Sequence, residues 1–166
     1  MLISIFIFIP LLSFSQFIKS DQTDSFTHQK RIVTKSVDIM PGNIFLVNGV
    51  YSISFNTVND NIFIVLHGGG KSAGTILQDD IALLITEKDT ITIKSAGTQI
   101  SYGRWNPYFY DHQYIITKDD LLKLSKSKLM AIRRYTSEGI FDMQVKEKFQ
   151  KRLMQLSDAL LKEMSK

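Results

Sequence analysis

A glycine-rich segment near the middle of the chain contains residue types that acyl transfer uses. The string HGGG, beginning at His67, matches the oxyanion loop of esterases, and G-x-S-x-G, with Ser72 at its centre, matches their nucleophile elbow. Esterases place these motifs on different elements, whereas here the two strings overlap and share Gly70. The sequence therefore favours a permissive loop over residues 68–74, and a small serine hydrolase using Ser72 and His112 is the alternative.

A second segment, residues 102–114, mixes aromatic rings with planar hydrogen-bonding groups and contains the only tryptophan of the chain. Such a mixture suits a carbohydrate ring or a protein partner, because one surface offers both apolar contact and directional polarity. In a second interpretation, the same aromatics cover an open edge of the core. The predicted ligand surface consists of Arg104, Trp105, Asn106, Tyr108, Tyr110, Asp111 and His112.

No spacing in the chain indicates metal or phosphate chemistry. The histidines at positions 28, 67 and 112 have no ligand partner at helical or hairpin spacing, and the chain has no cysteine. Gly70-Lys71-Ser72 is similar to the end of a phosphate-binding loop, but Val65 stands where that motif requires its first glycine. The sequence therefore predicts neither a metal site nor a cofactor.

Periodicity indicates the strands that would position these residues. Residues 51–56 alternate apolar and polar side chains, and a polar turn at 59–61 leads into the apolar run 62–66, which together predict a β-hairpin. On a later strand, Arg133 and Arg134 are expected to point to opposite faces. Further strands are predicted at 81–86, 90–94, 100–102, 113–117 and 130–135.

The sequence predicts two helices, one from a capping residue and one from the spacing of its apolar residues. Thr117 is expected to cap a short helix that begins with two aspartates. An amphipathic helix is predicted from about residue 145 to the end of the chain. Its apolar face consists of Val145, Phe149, Leu153, Leu156, Leu160 and Met164. We therefore expect an α+β fold, with an antiparallel β-sheet of about six to eight strands, a short helix, and the long C-terminal amphipathic helix packed on one face.

The N-terminus has the pattern of an export signal. No charged side chain occurs before Lys19, and an apolar run is followed by small residues, with cleavage expected after Ser15 or Gln16. Since no basic residue precedes the apolar run, a start further upstream and an uncleaved leader that anchors the chain are both alternatives. The predicted organisation is a signal peptide over residues 1–15, a flexible lead-in over 16–34 and a single α+β domain over 35–166.

Composition indicates an ordinary globular protein. Its 44% hydrophobic and 22% charged residues exclude bulk disorder, and 166 residues are enough for one core. The net charge of +4 comes from basic residues interleaved with acids, and no nucleic-acid-binding motif accompanies it. We expect no nucleic-acid partner, membrane contact only through an uncleaved leader, and either a carbohydrate or another envelope protein as the partner.

Four short motifs precede the closing helix: residues 13–16 (SFSQ), 89–97 (DTITIKSAG), 114–121 (YIITKDDL) and 130–135 (MAIRRY). Their order resembles that of uncharacterised exported proteins common in Bacteroidota. The resemblance covers most of the chain after residue 50, and it implies a sheet-plus-helix domain in the envelope or outside the cell. It implies no activity and no site residue.

Three functional hypotheses follow. The first is an exported, non-catalytic binding or interaction module that uses the aromatic loop over residues 104–112. The second is the small serine hydrolase with Ser72 and His112. The third is a structural envelope protein with no small-molecule ligand. In each case the expected location is periplasmic, cell-envelope or secreted.

Overall fold

A computed structural model of the protein describes residues 16–40, 49–70, 80–102, 108–137 and 139–166. The strands before the first helix are β1 (Ile18–Thr23), β2 (Lys30–Thr34), β3 (Val37–Asp38), β4 (Gly49–Val58), β5 (Asn61–Gly70), β6 (Ile81–Thr86), β7 (Thr90–Tyr102) and β8 (Tyr108–Ile116). The remaining elements are α1 (Lys118–Lys126), β9 (Leu129–Thr136), β10 (Gly139–Gln144) and α2 (Glu147–Met164). The predicted signal peptide lies outside the described residues.

The described strands form one antiparallel sheet of ten strands, in the order β1-β2-β4-β5-β8-β7-β6-β9-β10, and the short strand β3 pairs with β4. Hairpins connect most neighbours along the sheet. Two junctions instead join strands that are distant in sequence, because β8 returns to pair with β5 and β9 returns to pair with β6. The sheet is also curved, since the backbone N–H of Val50 on β4 donates to Met143 Sδ on β10 at 3.2 Å.

The antiparallel α+β class is confirmed, but ten strands exceed the expected number of about six to eight. Part of the difference arises from β1 and β2, which lie within residues 16–34, the segment expected to be a flexible lead-in. β1 is an edge strand whose residues are exposed or partly exposed throughout. Its sequence therefore has no apolar alternation that periodicity could detect.

The core lies between one face of the sheet and the two helices. The predicted apolar face of α2 is confirmed by its buried residues Phe149, Leu153, Leu156 and Leu160. Leu156 and Leu160 are fully buried, and each such side chain contributes roughly 1.5–3 kcal/mol of hydrophobic free energy. No helix within the described ranges is both long and apolar enough to cross a bilayer.

Helix α1 begins with the capping contact that the sequence predicts. The backbone N–H of Asp120 donates to Thr117 Oγ1 at 3.1 Å, and the Thr117 hydroxyl donates to Asp120 Oδ2 at 2.6 Å. These bonds satisfy one of the free N–H groups at the start of the helix and place negative charge at the positive end of its dipole. The Thr117 cap is therefore confirmed.

Side chains of β4, β5 and β8 alternate between the core face and the opposite face of the sheet, here termed the outer face. On β4, Ile53 and Phe55 are buried in the core, so the residues between and beside them point outward. A register shift between Val50 and Ser52 leaves Tyr51 as the extra residue of a β-bulge. This extra residue determines which of the following side chains of β4 point outward.

Candidate functional site

Part of the predicted chemistry falls outside the described residues. This applies to Ser72 and to three residues of the predicted ligand surface, Arg104, Trp105 and Asn106. Tyr108 is the first residue of β8, where it pairs with Gly70. Residues 68–70 of the expected loop are instead the end of β5 and continue the sheet, and residues 71–74 lie outside the described residues.

The other three residues of the predicted ligand surface follow one another on β8 and do not share a surface. Tyr110 and His112 point into the core, with 3% and 0% of their surface exposed, whereas Asp111 lies between them on the outer face. Successive side chains of a strand point to opposite faces, and this geometry separates them. His112 is thereby buried in the interior, which is unfavourable for the base of a surface hydrolase.

The inward residues form a polar cluster around Arg134, which is 3% exposed. Arg134 Nη2 donates to Tyr110 Oη at 3.3 Å, and Nη1 lies 3.4 Å from His112 Nδ1. The guanidinium carbon lies 5.5 Å from the centre of the Tyr110 ring and 5.8 Å from that of Phe141. Within the part of the chain that the structure describes, no acidic side chain pairs with Arg134. The rings of Tyr110 and Phe141 therefore provide cation–π contacts to this buried guanidinium.

The neighbouring arginine confirms the predicted alternation. Arg133 points away from the core and donates from Nε and Nη2 to the two carboxylate oxygens of Asp142, both at 2.7 Å. This bidentate pair joins β9 to β10 at directly opposite positions. The Arg133 guanidinium holds the pKa of Asp142 below its usual value of 3.8.

On the outer face, a line of hydrogen bonds connects β4, β5 and β8. Ser54 Oγ lies 2.8 Å from His67 Nε2, and His67 Nδ1 lies 2.7 Å from Asp111 Oδ1. In the neutral tautomer with a proton on Nδ1, the ring donates to the carboxylate and accepts from the serine hydroxyl. His67 pairs directly with Asp111 in the ladder, while Ser54 occupies the diagonal position on β4.

A cavity of about 480 Å³ lies over this line of residues and is called the outer-face cavity below. Its floor is the outer face of three strands, with Ser54, Asn56, Val65, His67, Asp111 and Gln113. Its wall comes from β1, β2 and the residues that follow β2, with Lys19, Arg31, Val33, Thr34, Lys35 and Ser36. The segment that the sequence analysis assigned to a lead-in therefore builds one side of the cavity.

The charge of the outer-face cavity is strongly positive. Lys19, Arg31 and Lys35 line it, and none of the three forms an ion pair with any residue in the described ranges. Asp111 is the single acidic residue among the described lining residues, and its carboxylate already accepts from His67. Burial first, and the Asp111 carboxylate second, raise the pKa of nearby Tyr51 above its usual value.

One buried polar atom of the described lining residues has no hydrogen-bond partner among them. Asn56 Oδ1 is buried and accepts no hydrogen bond from the described residues. Such an unsatisfied buried acceptor costs about 1–3 kcal/mol, and because the oxygen is shielded from solvent, a ligand in the cavity does not reach it in this conformation.

Sequence reasoning missed this site for a specific reason. In the sequence, Ser54 is one of the polar residues of a strand alternation, and His67 is the first residue of a glycine-rich string. Neither pattern indicates that the two side chains meet. The sequence does indicate that both side chains point outward, because their chain neighbours Phe55 and Leu66 are apolar core residues. The pairing of β5 with β8, which brings Asp111 to His67, leaves no trace in local periodicity.

The described residues contain no group of three or more His, Asp or Glu side chains placed to hold a metal ion. The chain matches no family model, no curated protein and no solved structure. The geometry of the site therefore carries the functional interpretation alone.

Proposed function

We propose that this protein is an exported binding module that holds an anionic carbohydrate in the outer-face cavity. The observation that carries the proposal is the convergence of Lys19, Arg31 and Lys35, without ion-pair partners in the described chain, around a hydrogen-bonding floor. The proposed ligand site therefore differs from the aromatic surface expected from the sequence, because it lies on the outer face of β4, β5 and β8. Among the described residues, Asp111 belongs to both surfaces.

The three cations favour an anionic group on the ligand. A charge-assisted hydrogen bond contributes about 1.5–3 kcal/mol, more than a neutral one. Asp111 is the single carboxylate among the described lining residues, and its one negative charge offsets the three positive charges only in part. A carboxylate, sulfate or phosphate group near the wall of the cavity would therefore be attracted.

The floor favours a ligand that also carries hydroxyl groups. The Asn56 amide lines the floor, and a sugar hydroxyl can both donate to and accept from such a group, whereas a deprotonated inorganic anion can only accept. Gln113 adds a second amide with both donors and acceptors, and the partly exposed Val33 of the wall offers apolar contact to the C–H face of a ring. A volume of about 480 Å³ lies in the range of small-molecule pockets, which favours a sugar over an envelope protein as the occupant.

Calorimetric titration with glucuronate, galacturonate and glucose tests the proposal. We expect the two uronates to bind and glucose to bind at least tenfold more weakly, because glucose lacks the charge. Replacing Arg31 or Lys35 with glutamine should weaken uronate binding by roughly tenfold to a hundredfold, the equivalent of one charged hydrogen bond. Higher ionic strength should weaken it further.

The matched control is Lys151→Gln, which removes an exposed lysine of α2. This variant should bind the uronates like the unaltered protein. Equal binding of uronates and glucose, no binding of any of the three, or an equal loss in Lys151→Gln would each contradict the proposal.

A further inference from the structure

The three residues on the cavity floor have the donor and acceptor order of a serine hydrolase. We propose that Ser54 is a nucleophile that cleaves an ester, with His67 as its general base and Asp111 as the residue that positions His67. The inference rests on the proposed function only for its substrate class, which is an O-acylated acidic sugar.

The geometry meets the requirements of nucleophilic catalysis. The distance of 2.8 Å from Ser54 Oγ to His67 Nε2 is within hydrogen-bond reach for proton transfer. The distance of 2.7 Å from His67 Nδ1 to Asp111 Oδ1 fixes the tautomer that leaves Nε2 free to accept a proton. Such constellations are recognised by geometry and by role, and they recur on unrelated folds in different chain orders.

The surroundings also suit catalysis. All three residues belong to paired strands near the centre of the sheet, so the backbone ladder fixes their relative positions. Ser54 is 5% exposed and the His67 side chain is 21% exposed, yet both line the outer-face cavity. The serine hydroxyl is therefore shielded from bulk water on most sides and faces the space that the ligand would occupy.

The position of the cavity ligand selects the scissile bond. A sugar hydroxyl that contacts the Asn56 amide would lie near Ser54, which is two residues away on the same face of β4. An acyl group on a neighbouring hydroxyl of the same sugar would then place its carbonyl carbon close to Ser54 Oγ. Hence the substrate class is an ester between a small acyl group and an acidic sugar.

The reaction proceeds in two balanced steps. Ser54 Oγ attacks the ester carbonyl carbon, and its proton passes to His67 Nε2. The tetrahedral intermediate collapses by breaking the bond to the sugar oxygen, which takes the proton from Nε2 and leaves an acyl group on Ser54. Water then loses a proton to Nε2 and attacks the acyl carbonyl, which releases the carboxylic acid and returns the proton to Ser54 Oγ.

Side chains must stabilise the oxyanion at this site. Backbone N–H groups of the paired strands donate within the sheet ladder, unlike those of an oxyanion loop. The Lys35 ammonium and the Gln113 amide line the same cavity and are donors of the required kind. Lys35 would therefore contribute both to anion binding and to the transition state.

Covalent labelling of the intact protein with an alkyl fluorophosphonate, followed by peptide mapping, tests the inference directly. We expect one adduct on Ser54 and no adduct in Ser54→Ala. The matched control is Ser52→Ala, which removes the serine that pairs directly with His67 in the ladder but makes no hydrogen bond to its ring. This control should label fully. Failure to label Ser54 in the unaltered protein, or equal labelling in Ser54→Ala, would overturn the inference.

The rate of 4-nitrophenyl acetate hydrolysis tests the catalytic roles of the three residues. Ser54→Ala should lose at least about a hundredfold in kcat/KM, and Ser52→Ala should stay within about twofold. Asp111→Asn should lower kcat with little change in KM and should alter the pH dependence of kcat, because it disturbs the His67 tautomer. A pH profile of Asp111→Asn identical to that of the unaltered protein would contradict the positioning role.

The two proposals fail in distinguishable ways. Uronate binding without labelling or turnover would refute the catalytic inference and leave the binding module standing. Labelling and turnover without uronate binding would refute the proposed ligand and leave Ser54 as a nucleophile for neutral esters. Because the mapped adduct is sought in the unaltered protein, the test does not depend on the folding of any variant.

Discussion

Gly68 lies on β5 opposite Tyr110 of β8, and the tyrosine ring packs directly against its Cα. A Cβ atom at this position would overlap Cε2, Cζ and Oη of Tyr110. Gly68→Ala therefore forces the ring to move within the core, where it is 3% exposed and carries the Arg134 guanidinium against its face. The substitution tests whether the close packing of Tyr110 on Gly68 contributes to the free energy of unfolding.

The size of the effect follows from three contributions. Overpacking a well-packed core costs about 1–3 kcal/mol. Moving Tyr110 also weakens its 3.3 Å hydrogen bond with Arg134, at a cost of about 1 kcal/mol. Alanine restricts the unfolded chain more than glycine does, which returns about 0.5 kcal/mol. We expect a net loss of about 1.5–3.5 kcal/mol in the free energy of unfolding, or about 3–14 °C in Tm.

A double-mutant cycle isolates the contact. Tyr110→Ala removes the ring and should cost about 3–5 kcal/mol through the cavity it leaves. In that background Gly68→Ala no longer meets an obstacle, and it should be neutral or stabilise the protein by about 0.5 kcal/mol. Equilibrium urea unfolding of the four proteins should therefore give a coupling energy of about 1.5–4 kcal/mol. If Gly68→Ala were neutral in the unaltered protein, or equally costly in both backgrounds, the packing argument would be refuted.

Two further outcomes are expected. The guanidinium of Arg133 lowers the Asp142 pKa, so this carboxylate stabilises the fold above its unfolded pKa, and the contribution is lost as the pH falls through the lower folded value. In an NMR titration, Arg133→Gln should move the Asp142 pKa back up toward 3.8, and an unchanged value would contradict the role of the ion pair. Leu156→Ala should destabilise the protein by about 2–5 kcal/mol, because Leu156 is fully buried on the core-facing side of α2. The matched control Leu122→Ala, at a position 41% exposed on α1, should change stability by less than about 0.5 kcal/mol, and similar losses from both would show that α2 does not cover the core.

The features that the sequence predicts correctly are those encoded locally. The apolar face of α2 repeats at helical spacing, the Thr117 cap precedes two aspartates, and the two arginines alternate across β9. Each follows from neighbours within a few residues. β1 lacks such a signal, because Ile18 is its single apolar residue and the other five are polar, so its sequence does not predict a strand.

The candidate site depends on non-local pairing, which limits what sequence reasoning can predict. The outward direction of Ser54 and His67 follows from the alternation of one hairpin. The aromatic neighbours of Asp111 suggested a surface loop, although Tyr110, His112 and Tyr114 are the buried alternate positions of β8. Only the register between β5 and β8 reveals that Asp111 lies beside His67.

The hydrogen-bonded line across the outer face should also form in a defined temporal order during refolding. Ser54 and His67 belong to one tight hairpin, and such hairpins form within microseconds. Asp111 is 44 residues further along the chain than His67, so it arrives only after the costlier closure that docks β8 onto β5. The His67 imidazole thus passes from one hydrogen-bonding partner to two, and its resonances report the moment at which the two halves of the sheet join.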